Sequence, residues 1–241
     1  MNSVPTILTD QGFEVDNNGV LTEMVIPHTV VTCDAPRKIT FNGDSLTYIP
    51  STATVLQEFS SDTATSVLGN LFQSFTALKT LKLNGVAALN NTEYSFCRDC
   101  TNLDTIEFGN LISINVASDQ RWMFYNCSAL TSVYMPKLTT VTTRFSSGVF
   151  YNCSALETIN LPSLNSVTGT ASLCGLLNNC TALNSITVGS VGNPVASLVA
   201  AAFAGCTSPN LHIVVYVQDP QNPIANAPWG ATNATYEFLQ A

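Results

Sequence analysis

One phrase recurs along the chain and sets what it can fold into. Phe150-Tyr151-Asn152-Cys153-Ser154-Ala155-Leu156 repeats Phe124-Tyr125-Asn126-Cys127-Ser128-Ala129-Leu130 letter for letter. Weaker copies follow at residues 177–188 and 203–215 and precede at 97–108 and 72–83. Taking Phe75, Cys100, Cys127, Cys153, Cys180 and Cys206 as the anchor, the steps are 25, 27, 26, 27 and 26 residues. A fixed period of this length marks a solenoid, in which each unit packs only on its neighbours. Solenoids present long rigid surfaces rather than closed clefts, so the repeat points to a binding protein.

After each anchor comes Leu-x-x-Leu-x-Leu or a variant: Leu78/Leu81/Leu83, Leu103/Ile106/Phe108, Leu130/Val133/Met135, Leu156/Ile159/Leu161 and Leu183/Ile186/Val188. The last two positions alternate with polar ones, the period-2 mark of a strand with one buried face. Copies one period apart are expected to stack as a parallel sheet. Pro136, Pro162, Gly85, Gly109 and Gly189 close the strand, by removing a donor or relaxing the backbone. A second apolar pair follows (Val86/Leu89, Leu111/Ile114, Leu138/Val141, Leu164/Val167). The Phe-x-x-Cys-x-x-Leu spacing predicts a short helix or turn that plugs the core.

This pattern resembles the bacterial leucine-rich repeats of the BspA, or treponemal, type. Leu130 through Val141 with Phe150 and Cys153, and Leu156 through Val167 with Leu177 and Cys180, match the family's repeat nearly slot by slot. Ala202-Phe203-Ala204-Gly205-Cys206 carries its Ala-Phe-x-x-Cys. The resemblance covers about residues 70–217, with a degenerate unit from Cys33 to Phe41. It implies a β-rich α/β fold: a right-handed leucine-rich-repeat solenoid with a parallel sheet on the concave face, short helices or turns on the convex side and a cap at each end. The expected domains are an N-terminal β cap (1–32), the solenoid (33–217) and a C-terminal cap (218–241). Trp229 reads as the lid on the last core layer, given how much apolar area Trp buries.

Five of the eight cysteines occupy one repeat slot. A residue at a fixed inward slot stacks on its counterparts, so these read as reduced packing thiols. Cys97 and Cys100 form a lone CxxC with no second pair to complete a metal site, and Cys97 falls in the Phe slot. Asn126, Asn152 and Asn179 open Asn-Cys-Ser/Thr sequons. Turn and ladder hydrogen bonding is the better reading for them than glycosylation.

Chemistry is sparse. The two histidines, His28 and His212, fall at opposite ends, and no GxSxG, P-loop, HExxH or GxGxxG sequence occurs. No catalytic residue, metal ligand or cofactor is expected, and the chain reads as a non-enzyme. A net charge of −8 argues against nucleic acid, and no apolar run is long enough for a membrane span. Two columns of side chains point outward from the strands: Thr80, Thr105, Ser132, Thr158 and Ser185, then Lys82, Glu107, Tyr134, Asn160 and Thr187. Strand propensity accounts for the first column. In the second, Lys82, Glu107, Tyr134 and Asn160 are the candidate ligand contacts, although Lys82 and Glu107 could simply pair with each other. Arg121 and Trp122, in an insertion, form either a loop patch or convex packing. Many relatives with this repeat are surface or secreted proteins. The resemblance therefore implies an extracellular or cell-surface recognition or adhesion module for a protein or glycan on a host or neighbouring cell. The chain opens without a visible signal peptide, which leaves open a structural or receptor-binding component of a phage or secreted particle, or a cytoplasmic location.

Overall fold

The computed structural model describes residues 14–15, 21–26, 37–42, 45–46, 55–67, 71–91, 96–116, 123–143, 149–169, 176–198, 200, 202–221 and 224–241. The Leu-x-x-Leu-x-Leu segments form the first face of the array. Leu21–Ile26, Lys38–Phe41, Glu58–Ser61, Thr80–Leu83, Thr105–Glu107 and Ser132–Tyr134 pair in parallel, and Glu14–Val15 adds antiparallel to the first of them. Thr158–Leu161, Ser185–Val188, His212–Val217 and Thr235–Gln240 continue as a second parallel group. The register superposes equivalent slots: Phe59 on Leu81 on Ile106 on Val133, and Ile159 on Ile186 on Ile213. Alternate residues are buried, so the period-2 pattern becomes a one-sided core of Leu81, Leu83, Ile106, Ile186 and Val188.

The strand Glu58–Ser61 belongs to a unit that the sequence pattern hides. Ser61 stands where Leu83 stands in the next unit, and it is buried. Its hydroxyl accepts a 3.0 Å bond from the Ala64 amide, which satisfies the polar atom in an apolar slot.

Of the short helix or turn expected over each Phe-x-x-Cys-x-x-Leu, the chain forms the turn, and no helix occurs among the described residues. The reason lies one residue before the anchor. Ser74, Asp99, Asn126, Asn152, Asn179 and Gly205 all take φ between 56° and 72°. A left-handed residue at every turn ends any helical run after a few residues. The α/β expectation therefore gives way to a parallel β-solenoid. The second apolar pair also forms strands rather than a helical layer. Ala88–Asn91, Ser113–Val116, Thr140–Thr143, Ser166–Gly169 and Ser197–Leu198 make a continuous five-stranded parallel sheet.

Between the sheets lie two side-chain ladders. Phe72, Phe96, Phe124 and Phe150 form a chain of ring contacts with centroids 5.3–6.1 Å apart. Beside them run the thiols: Cys100 donates to the Phe72 carbonyl, Cys127 to Cys97, Cys153 to Phe124, Cys180 to Phe150 and Cys206 to Leu177. Cys97 occupies the Phe slot, its carbonyl receiving the next thiol just as Phe72 and Phe124 do. The six described cysteines are free and buried, and burial pushes the Cys97, Cys127 and Cys153 thiols up. At the far end Trp229 is fully buried, its rings edge-on to Phe203, Tyr236 and Phe238, and its indole N–H donates to the Ala225 carbonyl at 3.0 Å.

Candidate functional site

The outward side of the strand face is built from residues that the register brings into columns. Lys38 and Glu58 are opposite each other, as are Thr80 and Thr105, Thr105 and Ser132, and Thr158 and Ser185. In the second column Lys82 lies across from Glu107, and Glu107 from Tyr134. Farther along, Asn160 lies across from Thr187.

Lys82 and Glu107 form a 2.7 Å ion pair. Asn84 braces it, donating through its amide to Glu107 at 3.1 Å and to Asp62 at 3.0 Å. The hydrogen bond from Lys82 lowers the Glu107 pKa, against a smaller opposing effect of burial, and Asn84 adds to the lowering. The same bond raises Lys82. Two of the four candidate contacts are thus committed to each other. A ligand would have to break a braced pair to recruit either. Asn84 and Asp62 escape a reading of the outward columns because they follow the strands rather than lie on them.

Tyr134 is placed differently. It is 55% exposed, and it sits where the strand face divides: Ser132–Tyr134 closes the seven-stranded sheet and Thr158–Leu161 opens the four-stranded one. Val133 is only half-buried, whereas its equivalents Leu81, Ile106 and Ile186 are fully buried. The rest of the molecule crosses this seam intact. Thr140–Thr143 pairs with Ser166–Gly169, and Phe124 stacks on Phe150 at 5.3 Å. Across the seam from Tyr134, Thr158 and Asn160 are exposed. The seam therefore combines one exposed ring with uncharged hydroxyl and amide groups.

The face ends in a second polar group that the sequence reading left out. The His212 ring contacts Thr235 Oγ1 at 2.9 Å through Nδ1 and Glu237 at 3.1 Å through Nε2. The signal for it was spacing: His212 and Thr235 fall in the Thr/Ser column, and Glu237 in the column of Lys82. Arg121 and Trp122, the loop-patch candidates, lie outside the described residues. Among the described residues no cluster of three or more His, Cys, Asp or Glu could hold a metal. Among the described residues no helix is long and apolar enough to cross a membrane.

Six copies of the BspA-type leucine-rich repeat region match residues 51–178, more than half of the chain. The chain belongs to the BspA-type leucine-rich repeat family. The match starts at the unit containing Glu58–Ser61, earlier than the spacing of the regular copies indicates. Such repeats generally serve as non-enzymatic scaffolds for protein interaction, and proteins that carry them are typically surface-associated. Among solved structures, the crystal structure of the T. pallidum leucine-rich repeat protein is similar at 18% identity and a TM-score of 0.46, over 97% of this chain and 85% of that one. No curated protein gives a significant match.

Proposed function

We propose that this chain is a recognition module of the cell surface or extracellular space, and that it binds a protein or glycan partner through the outward strand face, centred on Tyr134 and Asn160. The observation that carries the proposal is the seam: an aromatic ring 55% exposed on an otherwise regular sheet, flanked by Ser132, Thr158 and Asn160. Tyr supplies large contact area at low entropic cost and is enriched at binding centres. The hydroxyl and amide groups on the seam side of Tyr134, with Glu107 on its other side already bound to Lys82, favour a partner surface rich in hydroxyls and amides over a highly charged one. Lys82 and Glu107 serve as a braced rim rather than as primary contacts.

The test is a binding screen of the chain against mucin glycans and extracellular-matrix proteins, with Tyr134→Ala/Asn160→Ala alongside. Both side chains are exposed, so the double variant should fold and melt like the parent. Loss of a binding partner in the variant supports the seam as the site. A partner bound equally by both proteins removes the seam from the reading.

A further inference from the structure

We propose that the open edge of the last strand, Thr235–Gln240, pairs with the same edge of a second copy of this chain, antiparallel and two-fold symmetric about Phe238. This inference is independent of the seam and of what binds there.

The phase of the strand fixes which groups are free. The Thr235 amide donates to Leu211 and the Ala241 amide to Val217, and six residues run in unbroken parallel register with His212–Val217. Backbone groups of Thr235, Glu237 and Leu239 are thereby turned toward that neighbour. By the alternation of a ladder, the N–H and C=O of Tyr236, Phe238 and Gln240 point away from it. Among the described residues no strand covers them. Natural edges are blunted by Lys, Pro, bulges or short length, and Thr-Tyr-Glu-Phe-Leu-Gln has none of these protections. Its one charged side chain, Glu237, is held within its own copy by a 3.1 Å contact with the His212 ring.

The same parity selects the partner and the register. An isologous pairing uses one patch twice and closes. A two-fold at Phe238 sets Tyr236 opposite the partner's Gln240 and Phe238 opposite the partner's Phe238, and all three outward residues of each copy exchange both bonds. Glu237 then faces the partner's Leu239. A two-fold at Glu237 would set two carboxylates opposite each other and leave Gln240 facing the partner's Ala234, outside the strand. Moving the axis to Tyr236 or Gln240 leaves outward residues unpaired. The pairing also meets a packing need. Tyr236 is 47% exposed on the core side of the strand, and the partner's Tyr236 and Phe238 extend that layer.

The experiment is sedimentation equilibrium on the 241-residue chain over a concentration series, with amide exchange read residue by residue. The expected species is twice the 25.7 kDa chain. The Tyr236, Phe238 and Gln240 amides should gain protection as concentration rises, while Glu237 and Leu239 are protected throughout. Gln240→Pro removes one outward N–H without touching the ladder to His212–Val217, and Tyr236→Lys adds a charge at the seam between copies. Each should weaken association by about tenfold or more, while the melt in dilute solution falls only by what each loses within one copy, the exposed Gln240 bond to Gln218 or the Tyr236 ring contact with Trp229. If a variant does not fold, the exchange pattern of the parent decides alone. A chain that stays monomeric at every concentration overturns the proposal, as does a dimer whose three outward amides exchange freely.

Discussion

At the scale of single residues, the turn before each anchor carries more structural information than the leucines do. Asn152 donates through its side chain to Asn126, Asn126 to Asp99, and Asn179 to Asn152, each at 3.0 Å. The run is directional: each amide donates toward the N-terminus and accepts from the C-terminus. Asp99, which can only accept, stands at the one position where nothing is donated onward to a side chain, and Arg98 contacts it at 3.2 Å. Gly205 continues the backbone turn at the other end, where an added Cβ would come 3.1 Å from the Asn179 amide nitrogen. Asn152→Gly should keep the left-handed turn and lose the two side-chain bonds, costing about 1–2 kcal/mol. Asn152→Ala adds the strain of φ 60°, about 1 kcal/mol more, so urea unfolding of the pair separates conformation from hydrogen bonding. Asn152→Asp should be worse than glycine at pH 7, because the introduced carboxylate faces the Asn126 oxygen. It should recover on acidification, when the carboxyl can donate. Glu107→Gln tests the braced ion pair. A carboxylate with a lowered folded-state pKa contributes above the ordinary range and loses that contribution as pH falls through the folded value. The substitution should cost up to about 1 kcal/mol at pH 7, and the two unfolding curves should converge at acid pH.

At the scale of elements, close approach between consecutive turns sets the spacing of the strand face. A Cβ on Gly85 would lie 2.6 Å from the Ala64 carbonyl oxygen and 2.8 Å from that of Asp62. Both are backbone atoms that cannot rotate away. Gly85→Ala should therefore cost about 1–3 kcal/mol by denaturant melt, with exchange protection falling first in Glu58–Ser61 and Thr80–Leu83. The first-face strands from Thr80 onward were legible because Leu81, Ile106, Val133, Ile159 and Ile186 keep a strict alternation. The unit at Glu58–Ser61 was not, because Ser61 solves burial with a local hydrogen bond rather than an apolar side chain, and a hydropathy pattern cannot register that. The choice between helix and turn at Phe-x-x-Cys-x-x-Leu stayed open for a related reason. Apolar spacing of three suits a helix and a tight turn alike, and only the recurrent Asn or Asp with positive φ distinguishes them. Of the candidate site, the outward columns and the Lys82–Glu107 pairing were readable from register. The division of the sheet at Tyr134 was not, since Val133 and Tyr134 look like every other copy.

At the scale of the whole molecule, stability is a chain of nearest-neighbour contacts. Trp229 joins two of its layers, edge-on to Phe203 on one side and to Phe238 on the other. Trp229→Ala should cost about 3–5 kcal/mol. The loss should be graded: exchange protection disappears first in Thr235–Gln240 and His212–Val217 and last in Thr80–Leu83, as expected when cooperativity weakens with distance from the defect. Uniform loss along the array would mean that the units unfold as one body. The directional asparagine run has a different kind of consequence. Because each amide gives to the copy before it and receives from the copy after it, copies in the middle are interchangeable and the first is not. A duplicate of residues 127–152 spliced in after Asn152 would inherit a donor and an acceptor and lengthen the molecule. The copy bearing Asp99 tolerates no such move. This grammar lets the array grow from within while its starting point stays fixed.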